Sequence, residues 1–305
     1  MPPLFWTGKL STPVKILMNF NCIFAWINGS TRDTDSMKER VKLGYDGLIT
    51  DNVKLYDNLG LDFQIKAAKF QLEGLNVEGQ EVLDVAAGTG ALSFLLLEKG
   101  AKRVVCGDIS EKMLEQCRKK AIELGYKEDK IELRVLDAEE LPFADNTFDT
   151  VITGMATGLF PDLLKAIREM VRVVKPNGTV SVGAHGPEHY WEPIDSFVRS
   201  TNIRYLLGYR PEWWPRTEDE IRSIMAKAGL SDIQSKREIW RNKFTTGGDA
   251  WDFFCAISSS FQYEKYPTDK RLEDYRKVRD YCNINNKSTV TDDIILAYGN
   301  KHKIN

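Results

Sequence analysis

Asp84, Gly88, Gly90, Asp108 and Asp137 are the residues whose types and spacing could do chemistry together. They belong to short motifs that recur at the same point of successive strand-to-helix units. In the first, Glu-Val-Leu-Asp-Val-Ala-Ala-Gly-Thr-Gly at 81–90, the glycines permit close approach of backbone to a ligand. A helix N-terminus directly after such a turn offers N–H groups to that ligand. The second, Val-Val-Cys-Gly-Asp at 104–108, ends in a carboxylate. In a right-handed βαβ unit an acid at that place can accept hydrogen bonds from ribose hydroxyls. The third motif places Asp137 and Ala138 after another strand, where the carboxylate could meet an adenine amino group and the backbone could meet the ring.

These groups need elements that hold them. Val82, Leu83, Val85 and Ala86 form a short apolar run, as in a strand covered on both faces of a parallel sheet. Residues 91–99 read as a helix capped by Gly100. Ser110 suits the N-cap of a helix over 111–124 that Gly125 ends, with Met113, Leu114, Cys117 and Ala121 on its apolar face. Residues 131–136 alternate as a third strand, 148–153 form a fourth and 179–183 a fifth.

Two ligand classes use a strand, glycine turn and helix. A dinucleotide site wants G-x-G-x-x-G, but from Gly88 the chain reads Gly-Thr-Gly-Ala-Leu-Ser, so Ser93 stands at the last glycine. Asp84 would sit poorly beside a pyrophosphate. S-adenosylmethionine has no phosphate, and its amino acid tail carries an ammonium that Asp84 suits.

Residues 82–90, 108–114 and 137–149 together resemble the class I S-adenosylmethionine-dependent methyltransferases, most closely the ubiquinone/menaquinone-biosynthesis-like (methyltransferase type 11) branch. The resemblance covers roughly Leu61 to Val182. It implies an α/β fold: a Rossmann-like seven-stranded sheet with helices on both faces, a last strand running antiparallel, and a helical aromatic cap. It implies S-adenosyl-L-methionine as cofactor, held by Asp84, Ala86, Gly88, Gly90, Asp108, Ile109, Met113, Asp137, Ala138 and Gly154. One departure is Ala86, which replaces the first glycine of the loop. Alanine is small, so binding is expected to survive, with the loop keeping a negative φ there.

Composition narrows the function further. The 305 residues carry a net charge of −2, which gives no reason to expect nucleic acid or an anionic membrane as partner. Five scattered cysteines, with no C-x-x-C, make neither a disulfide framework nor a metal site and fit a reducing cytoplasm. Val14–Ile27 is apolar but interrupted by Lys15, Asn19 and Asn21, too short and polar to span a bilayer. Residues 1–36 are read as an added N-terminal arm, an amphipathic helix or targeting segment remaining open, and 37–305 as the methyltransferase domain.

Beyond the fifth strand the pattern thins. His185 lies at the sheet edge that carries the glycine turn and could serve as a general base, its unperturbed pKa being near neutrality, or be a structural residue bonded to nearby backbone. His189 is a second candidate. Tyr45 and Tyr56 come from a segment that, by the resemblance, covers the active site. Residues 186–216 and 247–284 are rich in aromatics and read as cap insertions. Thr217-x-x-Glu220 is a capping box opening a helix to Gly229. Strands over 233–244 and 290–298 follow.

The expectation is an enzyme transferring methyl to a small, largely apolar or aromatic molecule. A nicotinamide-dependent oxidoreductase and a non-catalytic S-adenosylmethionine-binding protein are the alternatives.

Overall fold

The computed structural model describes residues 34–46, 52–193, 216–257 and 268–302, with Thr12, Ile16 and Phe20. Most of the expected arm, residues 194–215 of the first cap insertion and 258–267 of the second lie outside the described residues. The described elements are α1 (Thr34–Asp46), α2 (Asn52–Leu72), β1 (Glu81–Val85), α3 (Ala91–Glu98), β2 (Arg103–Asp108), α4 (Glu111–Glu123), β3 (Ile131–Val135), β4 (Phe148–Thr153), α5 (Leu163–Val173), β5 (Val174–His185), β6 (Tyr190–Trp191), α6 (Glu218–Lys227), β7 (Leu230–Lys243), α7 (Gly247–Ile257), α8 (Thr268–Ile284) and β8 (Thr289–Lys301).

The chain forms two compact units. One comprises Gly60–Ala184, Arg216–Arg237 and Ile294–Asn305; the other comprises Met1–Leu59, His185–Pro215 and Glu238–Asp293. The sheet runs β3-β2-β1-β4-β5-β8-β6, with β7 beside β8. Strands β1 to β5 are parallel where they pair, β1 lying between β2 and β4. Strand β8 reverses direction against β5: Asn300 meets Thr179 near the start of β5, whereas Asp293 meets Gly186 just past its end. The expectation was seven strands. The eighth, β6, is a two-residue strand pairing Tyr190 with Thr291 and Trp191 with Val290, too short for any periodicity to announce.

Alternation along β1 and β2 explains the first unit. Leu83, Val85 and Val105 pack into one buried cluster with Ile167 and Met170 of α5 and Ile221 and Met225 of α6. Val82, Val104 and Cys106 face the other way, into a cluster with Leu96 of α3 and Leu114 and Cys117 of α4. Both sheet faces are covered, which is why these strands read as near-continuous apolar runs.

Local signals behave as their chemistry requires. Ser110 accepts from Met113 N–H, and the box of Thr217 and Glu220 is complete. The fifth strand, expected over 179–183, begins earlier, and Lys175–Gly178 form a bulge inside β5 opposite Asp149, with Asn177 at φ 63°.

The second unit has an aromatic core. Trp191 stacks on Phe253 at 5.4 Å between ring centres, and Trp251 on Phe254 at 5.5 Å. All four are buried. Trp251 Nε1 donates to the Tyr275 carbonyl at 3.1 Å, and the Asp252 carboxylate takes both the Tyr275 hydroxyl and the Arg279 guanidinium. Much of the aromatic content of the expected caps is therefore spent on packing.

Candidate functional site

The carboxyl ends of β1, β2, β3 and β4 carry the candidate cofactor residues in the first unit. Asp84 is the fourth residue of β1 and faces the side covered by α3. It is 1% exposed, and burial pushes its carboxyl up to about 7. Its Oδ2 accepts from Ser93 Oγ at 2.6 Å, whereas Oδ1 has no hydrogen-bond partner among the described residues. A buried carboxylate oxygen left without a donor is costly, so the position suits a ligand that brings a donor or a positive charge.

The turn after β1 departs from expectation. Ala86 was expected to keep a negative φ, but it stands at φ 59°. The left-handed residue turns the chain out of the strand so that Ala87 N–H reaches the Gly107 carbonyl at 2.9 Å. Alanine there carries strain that glycine would not. Gly90, at φ 87°, opens α3, and a side chain there would meet Cys117 Sγ at 2.6 Å and Phe94 at 2.8 Å.

The loop N–H groups are largely spent inside the protein. Gly90 N–H donates to the Ala87 carbonyl at 3.0 Å and Gly88 N–H to Asp108 Oδ2 at 2.9 Å. Such a turn makes a poor nest for pyrophosphate and a better one for a ligand without phosphate.

Asp108 closes β2 and is 9% exposed. Besides Gly88, it accepts from Ser110 N–H at 2.8 Å. A carboxylate at the carboxyl end of the second strand is where ribose hydroxyls could donate. Ile109 is half-buried, and Met113 lies buried on α4. Asp137 sits in an Asx turn, accepting from Glu139 N–H at 2.8 Å, so part of its acceptor capacity holds its own loop. Ala138 is buried in the same cluster as β1. Gly154 follows β4, and among the described residues a side chain there would touch only Leu92, at 3.9 Å.

Gln71, at the end of α2, carried no signal in the sequence beyond being polar in a helix. It is 5% exposed, and its amide donates to the Thr153 carbonyl at 2.9 Å and Ser181 Oγ at 3.1 Å. It braces β4 against β5 beside Gly154.

The catalytic candidates fall in the second unit. His185 ends β5, its ring centre 4.2 Å from that of His189. Burial in the surrounding protein pushes its imidazole down to about 3. His185 is therefore neutral throughout the physiological range and a weak proton acceptor. His189 is 2% exposed, and burial pushes it well below the usual histidine value. Its Nε2 accepts from the indole N–H of Trp191, and its Nδ1 lies 3.6 Å from Asp292 Oδ1. Tyr45 donates its hydroxyl to the Ile257 carbonyl at 3.1 Å, and Tyr56 packs edge-on against Tyr45, ring centres 6.3 Å apart.

Comparison with known proteins gives a consistent picture. Residues 83–182 match the methyltransferase-domain family. The chain is 38% identical over 186 residues to the ubiquinone/menaquinone biosynthesis C-methyltransferase UbiE of Rickettsia felis, covering 54% of this chain and 73% of that protein. It is 33% identical over 174 residues to a demethylmenaquinone methyltransferase of Desulfitobacterium hafniense, covering 51% of this chain and 68% of that one. Among solved structures, the YcgJ protein of Bacillus subtilis shares the fold, with a TM-score of 0.51 and 22% identity over 80% of this chain and 98% of its own.

Proposed function

We propose that this chain, which belongs to the UbiE-like class I S-adenosylmethionine-dependent methyltransferases, moves the methyl group to a ring carbon of a small aromatic acceptor of the hydroquinone kind. The protein is a methyltransferase and its cofactor is S-adenosyl-L-methionine. The acceptor is inferred from the names of the relatives: one is a C-methyltransferase of ubiquinone/menaquinone biosynthesis, the other acts on demethylmenaquinone.

The observation that carries the assignment of the site is Asp84, a buried acid under a glycine turn with one oxygen lacking a partner among the described residues. That arrangement favours a ligand with an ammonium group over a dinucleotide. Bound there, S-adenosylmethionine supplies a methyl group on positively charged sulfur. In this reading Asp84 takes the ammonium, and Asp108 takes the ribose hydroxyls while still holding the turn. Asp137 and the Ala138 backbone meet the adenine, and Ile109 and Met113 pack against it. The backbone of Ala86, Gly88 and Gly90 leaves room for the tail, and Gly154 leaves room near the reacting end. Positioning and exclusion of water supply the rate, with no covalent enzyme intermediate. His185 and Tyr56 are kept as groups that orient the acceptor.

Residues 1–36 are proposed as an accessory arm, and 37–305 as the catalytic domain with insertions near 186–216 and 247–284. We place the reaction in the cytoplasm on the scattered cysteines, and propose no nucleic-acid partner on the near-neutral net charge. Among the described residues no helix is long and apolar enough to cross a membrane.

Incubation with methyl-labelled cofactor and a demethylated hydroquinone, followed by mass analysis, tests the proposal. Label on a ring carbon supports it; label on oxygen or nitrogen only, or none, overturns the acceptor. Tight NADH binding without binding of S-adenosylmethionine would favour the oxidoreductase.

A further inference from the structure

Ser93 looks, in the sequence, like a failed dinucleotide position, the place where a third glycine is missing. In the structure it belongs to a buried chain of hydrogen bonds beneath the glycine turn. Cys106 Sγ donates to Ser93 Oγ at 3.0 Å, and Ser93 Oγ donates to Asp84 Oδ2 at 2.6 Å. Cys106 and Ser93 are both fully buried, and Asp84 is 1% exposed. A hydroxyl has one hydrogen and can also accept. With Cys106 filling an acceptor site of Ser93, the Ser93 hydrogen is directed at the carboxylate. That bond fixes the carboxylate rotation and leaves Oδ1 as the oxygen without a partner among the described residues. Glycine at 93 could do none of this.

We infer that Ser93 is a specificity-determining positioning residue of the cofactor site, holding one oxygen of Asp84 so that the other is presented, ionised, to the ammonium of the cofactor's amino acid tail. The inference rests on the reading that Asp84 meets that ammonium.

The surroundings give Ser93 a second effect. Around Asp84, α3 contributes Ser93, β2 contributes Cys106 and the acid Asp108, and Cys117 of α4 lies next to Cys106. On β4, Ile152 and Thr153 stand opposite Asp84 and Val85 and carry no charge. Burial and the Asp108 charge favour the protonated form of Asp84, and the bond from Ser93 favours the carboxylate. With the balance near pH 7, a bound ammonium selects the carboxylate and expels a proton. Affinity should then fall about tenfold per pH unit well below that point. Removing the Ser93 hydroxyl moves the midpoint upward.

The test is the affinity for S-adenosylhomocysteine, which carries the same amino acid tail, measured by calorimetry between about pH 5.5 and pH 8.5 on the full chain. Wild type, Ser93→Ala, Ser93→Thr and Asp84→Asn are compared, each checked for a cooperative melt. Ser93→Ala should bind about ten- to hundredfold more weakly at pH 7, the range for one hydrogen bond to a charged group, with the gap narrowing as pH rises. Ser93→Thr should restore both affinity and midpoint. Asp84→Asn should bind weakly with little pH dependence. If Asp84→Asn weakens binding but Ser93→Ala keeps the wild-type midpoint, or loses affinity equally at every pH, the role of Ser93 is overturned. If Asp84→Asn binds as wild type does, the reading of Asp84 fails and the inference falls with it. A readout without ligand accompanies these. The pH range over which stability falls as Asp84 ionises should extend higher in Ser93→Ala than in wild type.

Discussion

Asp108 Oδ2 accepts the backbone N–H of Gly88 at 2.9 Å, across the tips of two neighbouring parallel strands. Its other oxygen accepts Ser110 N–H at 2.8 Å, at the N-cap of α4. The acid proposed for the cofactor ribose is thus also the tie that shapes the glycine turn, and loss of its side chain acts twice.

Asp108→Ala should weaken cofactor binding by roughly 1.5–3 kcal/mol, the range for hydrogen bonds to a charged group. It should also loosen the turn in the ligand-free protein. Calorimetry together with amide exchange at Gly88 separates the two effects. A folded variant with unchanged affinity removes Asp108 from the site.

Ala86 stands at φ 59°, so Ala86→Gly relieves left-handed strain while adding freedom to the unfolded chain. Stability in urea should be unchanged or rise by up to about 1 kcal/mol. Ala86→Val, with a β-branched side chain at positive φ, should be the less stable of the two. The opposite order would show that φ at this turn is not the controlling factor.

His185 has its folded-state pKa pushed down to about 3 from an ordinary value of 6.5. Between those values the unfolded chain binds more protons, so the stability tied to a neutral His185 is complete above 6.5 and is lost as pH falls. The loss is at most about 1.4 kcal/mol per pH unit. His185→Gln should flatten the acid side of the stability profile. It should leave any limb of kcat/KM near pH 6.5 in place, because the native imidazole does not titrate there. A limb in the wild-type profile that disappears in the variant would return His185 to the role of general base.

Thr217 accepts from Glu220 N–H at 3.2 Å while Glu220 caps the Thr217 N–H at 2.8 Å. Thr217→Ala should lower stability by about 1 kcal/mol through loss of this cap. Cofactor affinity should not change. A drop in affinity would tie the start of α6 to the site.

Removal of residues 1–36 should leave a folded protein that binds cofactor, because every proposed cofactor residue lies downstream. Insolubility or loss of binding in the truncated chain would make the arm part of the core.

Local pattern determined a great deal by itself. Apolar runs bounded by glycine, Ser110 as a cap, and the Thr217–Glu220 box specify elements through interactions a few residues long, and the structure contains them. The ligand class followed from the resemblance of residues 82–90, 108–114 and 137–149 to the methyltransferase family, with Asp84 and Ser93 favouring it over a dinucleotide. Tertiary structure decided what depends on distant neighbours. Whether Ala86 turns left-handed depends on Gly107 being within reach of Ala87. That Ser93 is a partner of Asp84, and not merely a missing glycine, follows from how α3 lies on β1 and β2. Gln71 finds its role only where α2 meets Thr153 and Ser181, 82 and 110 residues away. His185 is neutral because folded protein surrounds it, and no spacing in a sequence reports that degree of desolvation.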